Sequence, residues 1–309
     1  MDTLIRVEHL SKQFKEVKAV DDLSFAVHKG EVYGFLGQNG AGKSTTIRML
    51  LTLVLPTEGH IQIFDKELQQ YRLEILRNTG AIIERPDLYN YLTALENLQI
   101  MAKLSGIDPS KKELLRRLER VGIAHRANSK VKTFSQGMKQ RLGIACALVH
   151  EPQLIILDEP TNGLDPQGIA EVRNLILHLS KEEGRTLVVS SHLLYEIELI
   201  ADSMLIIDKG KKVAEGHVAV LLNPKDTMVE VKTLNDHDTL LLLQQSQWAS
   251  HLQGVGYTIL LKMDKKEIPD LTRFLIAHGA EITGIQSRHS LENYFLSQTS
   301  GSNVAVDQH

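Results

Sequence analysis

Leu4-Ile-Arg-Val-Glu-His-Leu10 alternates apolar and polar positions, the period of a strand with one face buried. Two further apolar runs, Leu23–Val27 and Val32–Leu36, predict strands, with Lys29-Gly30 as the tight turn before the second. The period then lengthens to that of a helix, from about Thr46 to Val54, and Pro56-Thr-Glu-Gly59 ends it. His60–Phe64 is a predicted strand, Gln69 to about Asn78 a short amphipathic helix, and Gly80–Ile83 another strand running into Glu84-Arg85-Pro86.

Residues 92–149 change character and predict helices to Leu104, over about Pro109–Val121 and over Gln136–Val149. The basic density between Lys111 and Lys132 is expected to be a solvated helix face, with contact to anionic lipid or a partner loop as the alternative. Strand-helix alternation resumes with Leu154–Leu157, wholly apolar as a buried parallel strand should be. A helix over about Gln167–Glu183, strand Thr186–Ser190, a helix from Leu193 and strands Met204–Ile207 and Lys212–Ala214 complete this part. From about residue 218 a small α+β unit is expected. Its strands are Met228–Lys232, Tyr257–Met263 and Glu281–Ile285, and its helices run through Leu240–Leu243, over Ile268–His278 and over Leu291–Leu296. It has no phosphate loop and no metal-ligand spacing, so it reads as a structural or regulatory appendage. The polar tail, Gln298–His309, is expected to be disordered.

Composition narrows this little. The 309 residues are 42% hydrophobic and 24% charged, as in an ordinary globular protein. Residues 1–217 hold 28 charges of each sign and the remainder 7 basic against 10 acidic, so neither part is a polycation and nucleic-acid binding is not expected. The single cysteine, Cys146, excludes an intrachain disulfide and reads as a small buried hydrophobe. No signal peptide is expected, because the start is the alternating segment Leu4–Leu10, and no membrane span, because no window approaches 18 consecutive apolar residues.

Gly37-Gln-Asn-Gly-Ala-Gly-Lys-Ser-Thr45 stands between a predicted strand and a predicted helix, the context a phosphate-binding loop requires. Its glycines let successive N–H groups turn toward phosphate oxygens, and the helix N-terminus adds partial positive charge. Lys43 would reach the β/γ-phosphates and Ser44 would ligate Mg²⁺. Leu154-Ile-Ile-Leu157 ends in Asp158-Glu159, which puts two carboxylates at the strand edge beside that loop. Asp158 suits a metal held through water, and Glu159 suits polarising a water for attack on the γ-phosphate. Ser135 reads as an N-cap that could offer free N–H groups to a phosphate. Ser190-Ser191-His192 ends another strand, and five parallel strand termini would converge on one edge, where ligands bind in open α/β sheets.

In this order the motifs resemble the ATP-binding subunit of an ABC transporter, over residues 1 to about 217. Gly37–Thr45 resembles Walker A, and Phe134-Ser135-Gln136-Gly137-Met-Lys-Gln140 the signature motif, with Gln136 where the family usually has Gly. Leu154–Glu159 resembles Walker B with its catalytic glutamate, Asn162-Gly-Leu-Asp165 the D-loop and His192 the switch histidine. Phe14 falls where the family places an aromatic against adenine. The resemblance implies an α/β P-loop NTPase core (1–217) with an antiparallel β subdomain and a helical subdomain (about 85–150), followed by a small α+β domain (218–297). It also implies ATP and Mg²⁺ as ligands and a head-to-tail homodimer, or heterodimer with a related ATPase, sandwiching two ATP molecules. Gln38, Asn39, Gly40, Ala41, Gly42 and Thr45 would complete the cradle in one chain, while Ser135, Gln136, Gly137 and Asp165 would close the partner's site. A separately encoded membrane-spanning permease is implied, with the chain peripheral on the cytoplasmic face of the membrane.

The position after the apolar strand Gly80–Ile83, usually Gln, is Glu84, which would act near Mg²⁺ and the attacking water but cannot donate a hydrogen bond when ionised. This variant, Phe134–Leu142 and Ser290-Leu-Glu-Asn-Tyr-Phe-Leu296 resemble the bacitracin-resistance and lantibiotic-immunity branch of bacterial exporters. The expected function is an ATP-hydrolysing motor for antibiotic or peptide efflux; the alternative is export of another lipid or drug by the same machinery. A soluble ABC ATPase acting on ribosomes or DNA would usually carry two ATPase halves or a long coiled coil, and this chain has one set of motifs. A regulator with degenerate catalysis is disfavoured by the presence of both Glu159 and His192.

Overall fold

The computed structural model describes residues 2–223, 227–253 and 259–289. The chain divides into two compact units, Met1–Val218 and Ala219–His309.

The first unit begins with two long strands, β1 (Thr3–Phe14) and β2 (Val17–His28), and a short one, β3 (Val32–Leu36). Helix α1 (Lys43–Leu50) is followed by β4 (Glu58–Ile63), β5 (Lys66–Glu67), α2 (Arg72–Arg77) and β6 (Thr79–Ile82). Then come α3 (Ala94–Leu104), α4 (Lys111–Arg120), α5 (Gln136–Ala147), β7 (Leu154–Leu157) and α6 (Pro166–Lys181). Strand β8 (Thr186–Ser191), α7 (Leu194–Ile200), β9 (Ser203–Asp208) and β10 (Lys211–His217) close the unit, and α8 (Val218–Leu221) begins at its boundary.

Two sheets result. β2-β1-β4-β5 is antiparallel; β10-β9-β3-β8-β7-β6 has five parallel strands and one antiparallel edge, β10. β10 returns from β9 through Lys209-Gly210, both left-handed (φ 47° and 79°), as a two-residue hairpin turn demands. The parallel strands are buried on both faces, so their side chains divide between two cores. Tyr33, Phe35, Leu154, Ile156, Val188 and Leu205 meet α1 and the antiparallel sheet, whereas Val32, Ile155, Leu157, Leu187 and Val189 meet α3 to α6. This is why Leu154–Leu157 is apolar without interruption.

Several boundaries differ from expectation. α1 opens three residues early because Gly42 at φ 107° permits the entry, and it stops at Leu50, before the left-handed Thr52. β1 runs on to Phe14 because polar Lys12 and Gln13 pair across to β2 through bulged register. β5 was not expected: two polar residues carry no period. The basic stretch is only partly solvated, since Arg117 and Arg120 of α4 reach Glu151, and Arg120 also pairs with Glu183. Helix α4 is thereby tied to the ends of the parallel core.

The second unit contains β11 (Thr227–Thr233), α9 (Asp236–Gln244), β12 (Ile259–Met263), α10 (Ile268–Ala277) and β13 (Ile282–His289). Its antiparallel order is β12-β11-β13, with Val229, Val231, Ile259, Leu261, Leu271, Leu275 and Trp248 in one core. β13 extends past Ile285 because it pairs with β11 along its whole length. The expected helix Leu291–Leu296 and the tail lie outside the described residues.

Candidate phosphate and hydrolysis site

Gly37 to Thr45 join β3 to α1 in a turn that only small residues permit. A Cβ on Gly37 would stand 2.5 Å from the Ile207 carbonyl oxygen, and one on Gly42 would stand 2.6 Å from that of Ala19. Gly40 and Gly42 are also left-handed, at φ 82° and 107°. No side chain caps the N-terminus of α1. Among the described residues, the N–H groups of Gly40, Gly42, Lys43, Ser44 and Thr45 have no protein acceptor. Five uncapped donors at a helix N-terminus form an anion site.

Lys43, only 5% exposed, folds back over the loop: its Nζ donates to the carbonyls of Gly37 (2.6 Å) and Gln38 (3.2 Å) and lies 3.2 Å from Glu159 Oε1. Glu159 Oε2 accepts from His192 Nδ1 at 2.7 Å. One carboxylate therefore bridges the phosphate-loop lysine and the histidine at the end of β8. Glu159 has the left-handed backbone (φ 49°) that costs a non-glycine residue strain, and its N–H is held by Ser190 Oγ at 2.8 Å. The same Ser190 hydroxyl donates to Asp158 Oδ1 at 2.5 Å. Asp158 is fully buried, and its Oδ2 has no hydrogen-bond partner. A buried carboxylate oxygen without a donor, beside an anion cradle, suits a hard cation such as Mg²⁺.

The sequence pattern marked Ser190-Ser191-His192 but assigned a role only to His192. The roles of the two serines surface only when β8 is placed beside β7.

Glu84 follows β6 with a left-handed φ of 61°. Its side chain is 66% exposed and its Oε1 meets Arg48 Nη2 of α1 at 2.5 Å. Arg48 thus holds the Glu84 carboxylate. Phe14, at the end of β1, is 45% exposed with the Lys12 ammonium 4.9 Å from its ring centroid, leaving an open aromatic edge.

Ser135 caps α5, its Oγ accepting from Met138 N–H at 3.2 Å. Gln136 and Gly137 N–H have no protein acceptor among the described residues. Asp165 caps α6 through Gly168 N–H at 3.1 Å. The two helix starts touch: a Cβ on Gly137 would stand 3.5 Å from Gly168 Cα. Ser135, Gln136 and Asp165 face solvent. Among the described residues, no hydrogen bond or ion pair joins Ser135, Gln136, Gly137 or Asp165 to the Lys43–Glu159–His192 group. The candidate residues thus form two groups, one around the phosphate loop and one at the exposed starts of α5 and α6.

The family model described as "ABC transporter" matches residues 20–162. The bacitracin transport ATP-binding protein BcrA of Bacillus licheniformis is 42% identical over 311 residues, covering 98% of this chain and all of that one. The lantibiotic transport ATP-binding protein SrtF of Streptococcus pyogenes is 42% identical over 212 residues, 69% of this chain and 90% of its own. Among solved structures, the ATP-binding cassette MJ0796, a dimer in a post-hydrolysis state bound to ADP and Pi, has a TM-score of 0.63. It is 25% identical and covers 70% of this chain and 99% of its own. With an uncapped helix start after the glycine-rich loop, an acid-bridged lysine and relatives matched along nearly their whole length, this chain belongs to the ATP-binding subunits of ABC transporters, and it is an ATPase.

Proposed function

We propose that the chain is the motor of an exporter that removes an antibiotic or peptide of the bacitracin or lantibiotic kind, working against a separate membrane-spanning permease. What supports the substrate class is the 42% identity to a bacitracin transport protein, over an alignment that covers 98% of this chain. No helix among the described residues is long and apolar enough to cross a membrane, so a membrane partner must supply the path, with this subunit peripheral on the cytoplasmic face. Residues 1–217 act as the ATPase, about 85–150 as its helical part and 218–297 as an accessory domain.

The observation that carries the catalytic reading is the Glu159 carboxylate between Lys43 and His192. On binding ATP, phosphate oxygens replace Glu159 as the partner of Lys43, and the free N–H groups of Gly40, Gly42, Lys43, Ser44 and Thr45 take the remaining charge. Phe14 lies against the adenine. Asp158 and Ser44 would hold Mg²⁺, which when bound would neutralise phosphate charge. Glu159, released from Lys43, accepts the proton of the attacking water, and His192 holds the γ-phosphate end. Glu84, held by Arg48 in the free chain, would face the metal side of the site after exchanging that partner.

The site of one chain is completed by a second copy. The unbonded N–H groups of Gln136 and Gly137 and the Ser135 hydroxyl fit a γ-phosphate presented from outside, with Asp165 beside them. Glu159→Gln is expected to reduce turnover by about 10²- to 10⁴-fold, the worth of a general base, while leaving ATP bound. Turnover at the wild-type rate would reject Glu159 as the base. Purification from solubilised membranes is expected to bring a polytopic partner; ribosomes or DNA instead would reject the transport reading.

A further inference from the structure

We propose that Glu196 is a positioning residue that locks the loop leaving Glu159 to the turn carrying His192. The proposal rests on the catalytic reading of Glu159 and His192 given above. Glu196 stands in α7, four residues beyond His192, and a single carboxylate oxygen, Oε2, accepts two hydroxyls. Thr161 Oγ1, two residues after Glu159, donates at 2.8 Å, and Ser191 Oγ, next to His192, donates at 2.7 Å. Ser191 Oγ in turn accepts the Leu193 N–H at 3.0 Å, so the turn around His192 is fastened on both sides.

The platform beneath it is rigid. Ile197 presses against β3 so closely that a Cβ on Gly34 would fall 2.4 Å from its Cγ2. Ile197 and Ile200 are buried. No salt bridge involves Glu196 among the described residues, so its charge is not there to neutralise a cation. An ionised acceptor shared by two neutral hydroxyls gives the stronger, shorter class of hydrogen bond. Those two hydroxyls belong to different loops, one from the end of β7 and one from the end of β8. Glu159 is strained at φ 49° and needs its neighbours fixed to hold its place opposite His192. Ser190 secures the backbone of Glu159 from one side; Glu196 secures the chain two residues later from the other.

The test uses the full-length protein and four variants, Glu196→Ala, Glu196→Gln, His192→Ala and the double variant Glu196→Ala/His192→Ala, with Glu159→Gln as control. Glu196→Ala is expected to lower kcat for ATP by roughly 10- to 100-fold, the scale of a misplaced catalytic group, with the Kd for ATP and the unfolding temperature held. Glu196→Gln, whose amide oxygen still accepts both hydroxyls, is expected to recover most of that rate. In the His192→Ala background, Glu196→Ala is expected to cost little more, because the two act as a unit. An unchanged kcat in Glu196→Ala overturns the proposal. So does a fully additive loss, or a loss shared by Kd and unfolding temperature that Gln does not repair. If His192→Ala and Glu159→Gln themselves turn over normally, the catalytic reading fails first and takes the proposal with it.

Discussion

Asp158 keeps one carboxylate oxygen open because Ser190 occupies the other. Replacing Ser190 with Ala would strand the Glu159 N–H and remove the only donor to Asp158 Oδ1 given by the described residues. The expected cost is about 1–3 kcal/mol, the penalty of a buried group left unpaired, measurable by chemical denaturation, together with a loss of ATP hydrolysis. Glu84 presents the opposite case. Its contact with Arg48 is exposed, so breaking it should change stability by less than about 1 kcal/mol. Glu84→Gln removes an anion from the metal side of the site and is expected to tighten Mg-ATP binding by up to about tenfold, or about 1.4 kcal/mol. Equal affinity and equal hydrolysis in the two proteins would show that this position is not tuned.

At the scale of elements, α5 and the loop after β6 are packed through a glycine. A Cβ on Gly143 would fall 2.3 Å from Pro86 Cβ. Gly143→Ala is therefore expected to destabilise by about 1–3 kcal/mol, as overpacked cores do, and to shift the segment carrying Glu84; thermal unfolding and ATPase rates check the two effects. The same groove holds His150 and Cys146. Burial pushes the Cys146 thiol up to about 12, so it is inert at neutral pH. Burial pushes His150 down: its Nε2 faces the Thr79 carbonyl at 3.3 Å while its Nδ1 is buried with no partner, so a second proton has nowhere to bond. A lowered folded-state value means that the unfolded chain binds the proton more tightly. Stability contributed by neutral His150 is thus present above the unfolded value of 6.5 and lost as pH falls through and below it. Unfolding temperature should drop over that window in the wild type and drop less in His150→Gln.

The same scale explains what could be read in advance. Strands β3, β7 and β8 were legible because burial on both faces demands unbroken apolar runs, and Ser135 announced its helix as an N-cap. The Gly-Lys-Ser loop and Asp158-Glu159 were legible because phosphate and metal chemistry restrict residue type and spacing. The partners were not. Ser190 with Asp158, Thr161 with Glu196 and Arg48 with Glu84 join residues 32 to 36 apart, and only adjacency of β6, β7 and β8 and packing on α1 brings them together. The basic face of α4 misled for a related reason: Glu151 and Glu183, distant in sequence, draw Arg120 inward.

For the whole molecule, the two groups of site residues decide the account. Lys43, Asp158, Glu159 and His192 are assembled within one chain, whereas Ser135, Gln136, Gly137 and Asp165 stand at the starts of α5 and α6, where among the described residues no hydrogen bond or ion pair joins them to that group. A single copy has free backbone N–H donors at both places, and in the proposed dimer each would complete the other copy's site. The most direct test is the association state of full-length Glu159→Gln by sedimentation, with and without Mg-ATP, alone and combined with Ser135→Ala. The account predicts a monomer without nucleotide, a dimer with Mg-ATP, and a dimer weakened by at least about tenfold once Ser135 is lost, or about 1.4 kcal/mol for the two shared contacts together. A nucleotide-bound monomer, or a dimer indifferent to both ATP and Ser135, would contradict it.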